Sequence, residues 1–411
     1  MKNKYNNSNK IRDSFEHLLA GASTFSKIEF FNGNDTPYCI SHCDGAYVYD
    51  IDQNQYIDYM LAQGAVTLGY QNKEVNNAII HQLNKGISFS LPSKLEAEVS
   101  ALLVEMIPSA EKVRFGKNGN DVTSAAVRLS RYYTGNDHIL FCGYHGWQDW
   151  YIGQTSMNGG VPGPVRDLTH RFTYNDPDSV IKLINEYNNQ IACIIIDPLP
   201  AREAYPPKEF FSFLREITYE KNIVLIFDEI VSGFRCLQGS VQSLIGITPD
   251  LSTFAKGIAN GMPLSALVGR KEIMNKCNEI FYSLTYAGET LSLATAKAVI
   301  NIYKEKNVTS FLDTQGEKLR IGILRIIKEN NIEERLDIIG SNNRFVFSFT
   351  NKDINHYDPT DDLKNWISLT ADYGILNAGA HCVSLAHDDK VIDQTLSKYE
   401  ELMPKVKKYL L

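Results

Sequence analysis

The sequence predicts an α/β fold: a large domain around a mostly parallel sheet, and a smaller α+β domain built from the two ends of the chain. Three observations carry this. Short, unbroken apolar runs such as "IACIIID" and "IVLIFDEI" alternate with amphipathic stretches, as strands buried on both faces do. Near the start, "AYVYDIDQNQYIDYM" alternates apolar and polar residues around a polar turn at Asp52–Asn54, which reads as a hairpin. From about residue 310 the pattern shifts to long helices framing a "RFVFSFT" strand. The expected organisation is residues 1–60 joining the small domain, 61–309 as the large domain and 310–411 as the C-terminal part of the small one.

Within the large domain, "SKLEAEVSALLVEMI" has helical periodicity. The strand "KVRFG" follows, then the helix "DVTSAAVRLSRYY", the strands "HILFC" and "IACIIID", the helix "FFSFLREITYEKN" and the strand "IVLIFDEI". The last segment reads as a helix over "FLDTQGEKLRIGILRIIKEN", a helix over "DLKNWISLTADYG", and a strand then a long helix across "VSLAHDDKVIDQTLSKYEELMPKVKKYL". The Asn-rich start is expected to be mobile.

Bulk properties narrow the function. The chain has 411 residues, 44% hydrophobic and 22% charged, and a formal net charge of −7. That balance, with no long basic stripe, argues against nucleic acid or a membrane surface as partner. No apolar run approaches the length that spans a bilayer, and the N-terminus lacks the apolar core of a signal peptide. Seven scattered cysteines without a CxxC pairing suggest neither a zinc site nor a redox motif, so no metal is expected, and Cys39 and Cys43 read as ordinary small residues. The expected location is the cytoplasm.

Ligands of such sheets bind beyond the carboxyl ends of the strands, so the residues following each strand matter most. After "KVRFG", "KNGND" offers either a phosphate cradle at a helix start or an ordinary Asn-Gly turn capped by Asp121. After "HILFC", "GYHGWQDWY" is either packed aromatics or a shelf for a flat ligand, with Tyr144 or His145 as the stacking ring. After "IACIIID" come Asp197 and Arg202, which either bind a polar substrate or pair with each other. After "IVLIF", Asp228 and Glu229 end the most hydrophobic strand, where a carboxylate is costly unless partnered. In "STFAKGIANG", Lys256 sits among small and apolar residues.

One cofactor uses all of these features. Pyridoxal phosphate forms a Schiff base with a lysine, keeps its ring nitrogen protonated through a carboxylate, stacks on an aromatic ring and seats its phosphate at a helix N-terminus.

"LIFDEIVSGFR" followed by "PDLSTFAKGIANGMPLSALVGR" resembles the signature of class III aminotransferases of fold type I. "SHCDGAYVYDIDQNQYIDY", "KVRFGKNGNDVTSAAVRLSRYYTGNDHI" and "GYHGWQDWY" resemble the glutamate-1-semialdehyde aminomutase branch. The likeness runs from about residue 20 to about residue 400. It implies that Lys256 bonds the cofactor and shuttles protons, and that Asp228 holds the ring nitrogen protonated. It places Ile230 under the ring, Tyr144 over it with His145 beside, and Asn118, Gly119 and Asn120 around the phosphate. Asp197 stands where the family has a glutamate near the cofactor edge. Thr285, in "TYAGET", would reach the phosphate of the neighbouring subunit's cofactor, which implies a homodimer with shared active sites.

The chain departs from the pattern in three places. Asn118-Gly119-Asn120 replaces the common Ser-Gly-Thr. "LNAGAHCVSLAH" stands where the aminomutases carry Phe-Glu-Ala. Lys27, in "STFSK", aligns with their substrate-carboxylate arginine, and a lysine lacks the bidentate geometry of an arginine. The expectation is therefore an aminotransferase that moves an amino group from a donor such as glutamate to a small carbonyl acceptor, a sugar-like precursor of a surface glycan being one such acceptor. An intramolecular aminomutase is the alternative, and a non-catalytic cofactor-binding relative the remote one. Lys27, Trp147, Arg202 and His381 are the candidates for lining the acceptor pocket, each with a plain reading as surface charge, core aromatic or capped histidine.

Overall fold

The computed structural model describes residues 4–31, 33–236, 239–350 and 360–410. Its contacts divide the chain into two compact units. One comprises Met1–Asn72, Ala201–Ala204 and Ser310–Leu411; the other comprises Lys73–Pro200 and Tyr205–Thr309.

The first unit begins with β1 (Ile40–Asp44), β2 (Tyr47–Asp50) and β3 (Gln55–Asp58), paired antiparallel in sequence order. The polar turn between β2 and β3 forms because Asp50 Oδ1 accepts from the Asn54 N–H at 2.8 Å while Gln53 takes φ 65°. The Asn-rich start is ordered from Lys4 onward, against expectation. Asn6–Ile11 is helical, and the N–H groups of Asn7 and Ser8 donate to the Asp52 carboxylate at 2.6 and 2.8 Å.

The second unit is built on β4 (Lys112–Gly116), β5 (His138–Cys142), β6 (Thr169–Arg171), β7 (Ile191–Ile196), β8 (Val224–Asp228), β9 (Leu251–Phe254) and β10 (Ser265–Gly269). They lie in the order β4-β10-β9-β8-β7-β5-β6. All contacts are parallel except those of β10, which runs antiparallel to both β9 and β4. Both faces of this sheet are buried. Ile139, Phe141, Cys193, Ile195 and Ile226 pack with Val122, Ala126 and Leu129 of the Gly119–Thr134 helix. Their alternating neighbours Leu140, Ile194, Ile196, Leu225 and Phe227 pack with Phe210, Phe211 and Leu214 of the Lys208–Glu220 helix. Successive side chains point to opposite faces, so both faces being apolar requires an unbroken apolar run.

The first unit resumes with β11 (Leu336–Ser341), β12 (Arg344–Phe349), β13 (Ile375–Leu376) and β14 (Ala380–Cys382). β13 pairs parallel with β3 and completes a four-stranded sheet, β1-β2-β3-β13, while β11-β12-β14 form a second one. The strand expected over "VSLA" lies just before it, at Ala380–Cys382. Ser384 instead turns the chain, with its N–H and Oγ both against His387 Nδ1 at 3.2 and 2.8 Å. Among the described residues, no helix is long and apolar enough to cross a membrane.

Candidate active site

The site residues of the second unit sit at the carboxyl ends of the parallel strands. Asp228 ends β8 and pairs in register with Thr253 of the neighbouring β9. Thr253 Oγ1 donates to Asp228 Oδ1 at 3.0 Å, and the Ile230 N–H donates to the same oxygen at 3.2 Å. The other oxygen, Oδ2, lies 2.7 Å from His145 Nδ1, with both side chains buried. His145 Nε2 faces the Cys142 carbonyl at 3.1 Å, an acceptor, so Nε2 carries a hydrogen.

Lys256 follows β9 by two residues. Its φ of 50° lies in the left-handed region, which a non-glycine residue seldom occupies away from functional sites. A short 3₁₀ turn runs from it to Ala259, and Ala255, Gly257, Ile258 and Ala259 are buried around it. The strand pairing that aligns Asp228 with Thr253 thus puts the lysine just past the end of the neighbouring strand, three residues beyond the carboxylate's own partner.

Asn118 caps the Gly119–Thr134 helix, and the Asp121 carboxylate accepts from the Lys117 and Asn118 N–H groups at 3.1 and 2.7 Å. The Asp121 N–H turns back to the Asn118 carbonyl at 3.1 Å, and the N–H groups of Gly119 and Asn120 ahead of it open the helix, where an anion would be favoured. Three close approaches tie this cradle to the other strand ends. A Cβ on Gly119 would lie 2.7 Å from Ile230 Cδ1, one on Gly146 2.7 Å from Asn120 Cβ, and one on Gly143 2.8 Å from Asp197 Cβ. Gly143 and Gly146 also have φ of 111° and 115°. Asn118, Gly119, Asn120, His145, Asp197, Asp228 and Ile230 are thereby brought into one neighbourhood. Thr123, which donates to the His145 carbonyl at 3.0 Å, and Thr253 belong with them. Nothing in the sequence singles out Thr123, or Thr253, whose strand neighbour Ser252 carries a hydroxyl too.

Tyr144 is 71% exposed, its ring held edge-on against Tyr151 at 5.6 Å. Trp147 and Thr285 are exposed as well. Glu229, beside Asp228, is fully buried and engaged elsewhere: its carboxylate accepts from the Val241 N–H and from Gln242 Nε2 at 2.9 Å. Burial pushes its carboxyl up to about 7.

The remaining acceptor candidates belong to the first unit. Lys27 is exposed and lines a cavity of about 500 Å³ together with Phe15, Ile28, Tyr38, Met60 and Gln63. Arg202 is exposed within Ala201–Ala204. His381 corrects the expectation. It is fully buried, stacked on Tyr59 at 4.3 Å and on Phe345 at 5.3 Å, and its Nε2 meets Tyr399 Oη at 2.7 Å. It lies inside an aromatic core, where desolvation pushes the imidazole down to about 3.

These residues fit pyridoxal phosphate by their chemistry. The helix start suits a phosphate, and the buried Asp228 oxygen suits a protonated ring nitrogen. Ile230 lies close against the cradle at Gly119, an apolar side chain that would suit a flat ring, and Lys256 carries the amine that the cofactor needs. Among solved structures, the FumI protein of Sphingopyxis sp. MTA144, in its PLP internal aldimine form, superposes with a TM-score of 0.90 at 26% identity, over 98% of this chain and 96% of that one. A transaminase with PLP bound shares the fold, with a TM-score of 0.90 at 22% identity. A glutamate-1-semialdehyde 2,1-aminomutase of Persephonella marina is 34% identical across 96% of this chain and 97% of its own length. A 3-aminobutyryl-CoA aminotransferase of Cloacimonas acidaminovorans is 35% identical across 74% of each. The cofactor is pyridoxal phosphate. Residues 30–398 match the model of aminotransferase class-III, and the chain belongs to that family.

Proposed function

We propose that this class III enzyme is an aminotransferase that moves an amino group from a donor such as glutamate to an aldehyde or ketone acceptor. Pyridoxal phosphate supplies the electrophilic carbonyl and the electron-accepting ring. The protein does the rest. Asp228 would hold a proton at the ring nitrogen, its carboxylate oriented by His145 on Oδ2 and by Thr253 on Oδ1. The Asn118–Asn120 turn would seat the phosphate, with the N–H groups of Gly119 and Asn120 as donors, since the Asn118 N–H is held by Asp121; Ile230 and Tyr144 would cover the two faces of the ring. Lys256 Nζ removes the proton from the substrate carbon and returns it.

The departure from the aminomutase pattern at Leu376–Gly379 supports transfer over internal rearrangement. Where the aminomutases have Phe-Glu-Ala, this chain has a buried Asn377 that donates to Thr370 Oγ1 at 2.8 Å and accepts from the Gly379 N–H at 2.9 Å. The position offers no carboxylate to a substrate. The aminomutase relative supports the second reading, in which no donor is consumed. Incubation with glutamate alone separates the two: accumulation of the amine form of the cofactor together with 2-oxoglutarate supports transfer, and conversion of glutamate 1-semialdehyde without any donor supports the mutase. The acceptor screen pairs sugar-like aldehydes and ketones, the narrower reading, with 3-oxoacyl thioesters, which the 3-aminobutyryl-CoA aminotransferase relative brings in.

We also place the protein in the cytoplasm, in keeping with its free cysteines, and read it as a homodimer in which Thr285 reaches the partner's cofactor phosphate. Exposed apolar side chains support self-association. Phe281, Tyr286, Phe89 and Leu91 lie on two segments joined where the Thr290 N–H donates to the Ile87 carbonyl at 2.9 Å.

A further inference from the structure

Lys117 stands one residue before the helix cap at Asn118, and nothing in the chemistry above uses it. Its side chain is only 14% exposed. Nζ donates to Glu289 Oε2 at 2.9 Å and to Ser292 Oγ at 3.3 Å, and the Glu289 side chain is itself 11% exposed.

Glu289 caps a different helix, Thr290–Glu305. It accepts from the Leu291 and Ser292 N–H groups at 2.5 and 3.2 Å and from Ser292 Oγ at 2.6 Å. Burial alone would raise its carboxyl. The bonds from Ser292, Lys117 and Leu291 outweigh that and hold it below the usual range. Lys117 is fixed at its other end by the Asp121 carboxylate, which its own N–H reaches at 3.1 Å. One ion pair therefore ties together the first turns of two helices. Arg114 makes a second tie nearby, donating to the Tyr282 carbonyl at 2.7 Å from the segment that leads to Glu289 and contains Thr285.

We propose that the Lys117–Glu289 pair is a positioning device for phosphate binding, fixing the Asn118–Asn120 cradle, which serves this subunit's cofactor, relative to the Thr285 segment, which serves the partner's. Neither side chain touches the phosphate. Lys117 is not its counter-ion, because its charge is already matched by Glu289. The inference rests on reading Asn118–Asn120 as the phosphate cradle. Removing either partner leaves the other as a largely desolvated, unmatched charge, so the first turns shift to re-solvate it.

The test titrates apoenzyme with pyridoxal phosphate, follows bound cofactor by absorbance, and records melting of the apoenzyme in parallel. Lys117→Met and Glu289→Gln should each raise the Kd about tenfold or more, while the double variant is no weaker than the worse single. Lys117→Arg should stay within about threefold of wild type, because a guanidinium can reach both partners, and it stands in if Lys117→Met does not fold. Asn120→Asp is the control, since a charge beside the phosphate should weaken binding whatever Lys117 does. Unchanged affinity in Lys117→Met, tighter binding in Glu289→Gln, or losses in the double variant equal to the product of the singles overturns the proposal. Unchanged affinity in Asn120→Asp overturns the cradle reading, and the proposal with it.

Discussion

His145 Nδ1 lies 2.7 Å from Asp228 Oδ2, with both side chains buried and the other imidazole nitrogen committed to the Cys142 carbonyl. The carboxylate is thus oriented from two sides, by the imidazole on one oxygen and the Thr253 hydroxyl on the other. Asp228→Asn keeps the size of the side chain and removes its charge. It should lower kcat by about 10² or more with little change in melting. His145→Ala, which loosens the carboxylate without removing it, should cost less. Wild-type turnover in Asp228→Asn rejects the assignment.

Lys256 holds a φ of 50°, a conformation that costs a non-glycine residue about 1 kcal/mol or more. Lys256→Ala should abolish turnover and the visible absorbance of bound cofactor while keeping the strain. Lys256→Gly should abolish both and relax the backbone. The glycine apoenzyme should melt about 1–2 °C above the alanine one. A lower melting point for the glycine variant counts against strain at this position.

Gly146 has φ 115°, and a Cβ there would sit 2.7 Å from Asn120 Cβ. Gly146→Ala should push Asn120 out of the cradle and cost about 1–3 kcal/mol of stability. Weaker binding of pyridoxal phosphate, measured at a temperature where the variant remains folded, is the specific outcome; unchanged affinity rejects it.

The Glu229 carboxyl is raised by burial from 4.5 in the unfolded chain to about 7 in the folded one. The folded state holds this proton more tightly, so the group favours folding at low pH. That contribution fades as the pH climbs through the interval. Wild type should therefore lose more stability than Glu229→Gln between about pH 5 and about pH 8. Parallel melting curves against pH reject this.

His381 works in the opposite direction. Its imidazole is depressed to about 3 by burial, so neutral His381 supports folding above its unfolded value of 6.5, and that support is lost as the pH falls below it. His381→Gln keeps an acceptor for Tyr399 and should alter melting in acid while leaving the KM for donor and acceptor unchanged. A raised KM with unchanged melting returns His381 to the substrate pocket.

β4, β5, β7 and β8 of the large sheet were legible, the clearest because burial on both faces leaves an apolar run, as in Ile191–Ile196; the short β6 and β9 were not. Asp228 and Lys256 drew attention in the sequence because a carboxylate and an amine in such surroundings require a chemical reason, and the structure places them at the ends of neighbouring strands. β10 was not legible, since "SALVG" has the small, apolar composition of a turn as much as of a strand, and its antiparallel direction is set by distant pairing with β4 and β9. The Lys117–Glu289 pair joins residues 172 positions apart, and each reads alone as an ordinary surface charge. His381 was misread because a histidine in an aromatic core carries the same letter as one in a pocket; only its contacts with Tyr59, Phe345 and Tyr399 tell them apart.

The parallel pairing of β3 with β13 has a consequence for synthesis. Ile57 and Asp58 meet Ile375 and Leu376, partners roughly 320 residues later in the chain, and a ribosome adding about 5–20 residues per second needs on the order of tens of seconds to supply them. Throughout that interval β3 emerges with one edge bare, while the second unit already has every strand of its sheet. The nascent chain should therefore gain its cofactor-binding half first and depend on chaperones to shield the waiting edge, so truncations ending before residue 375 should aggregate through their N-terminal hairpin.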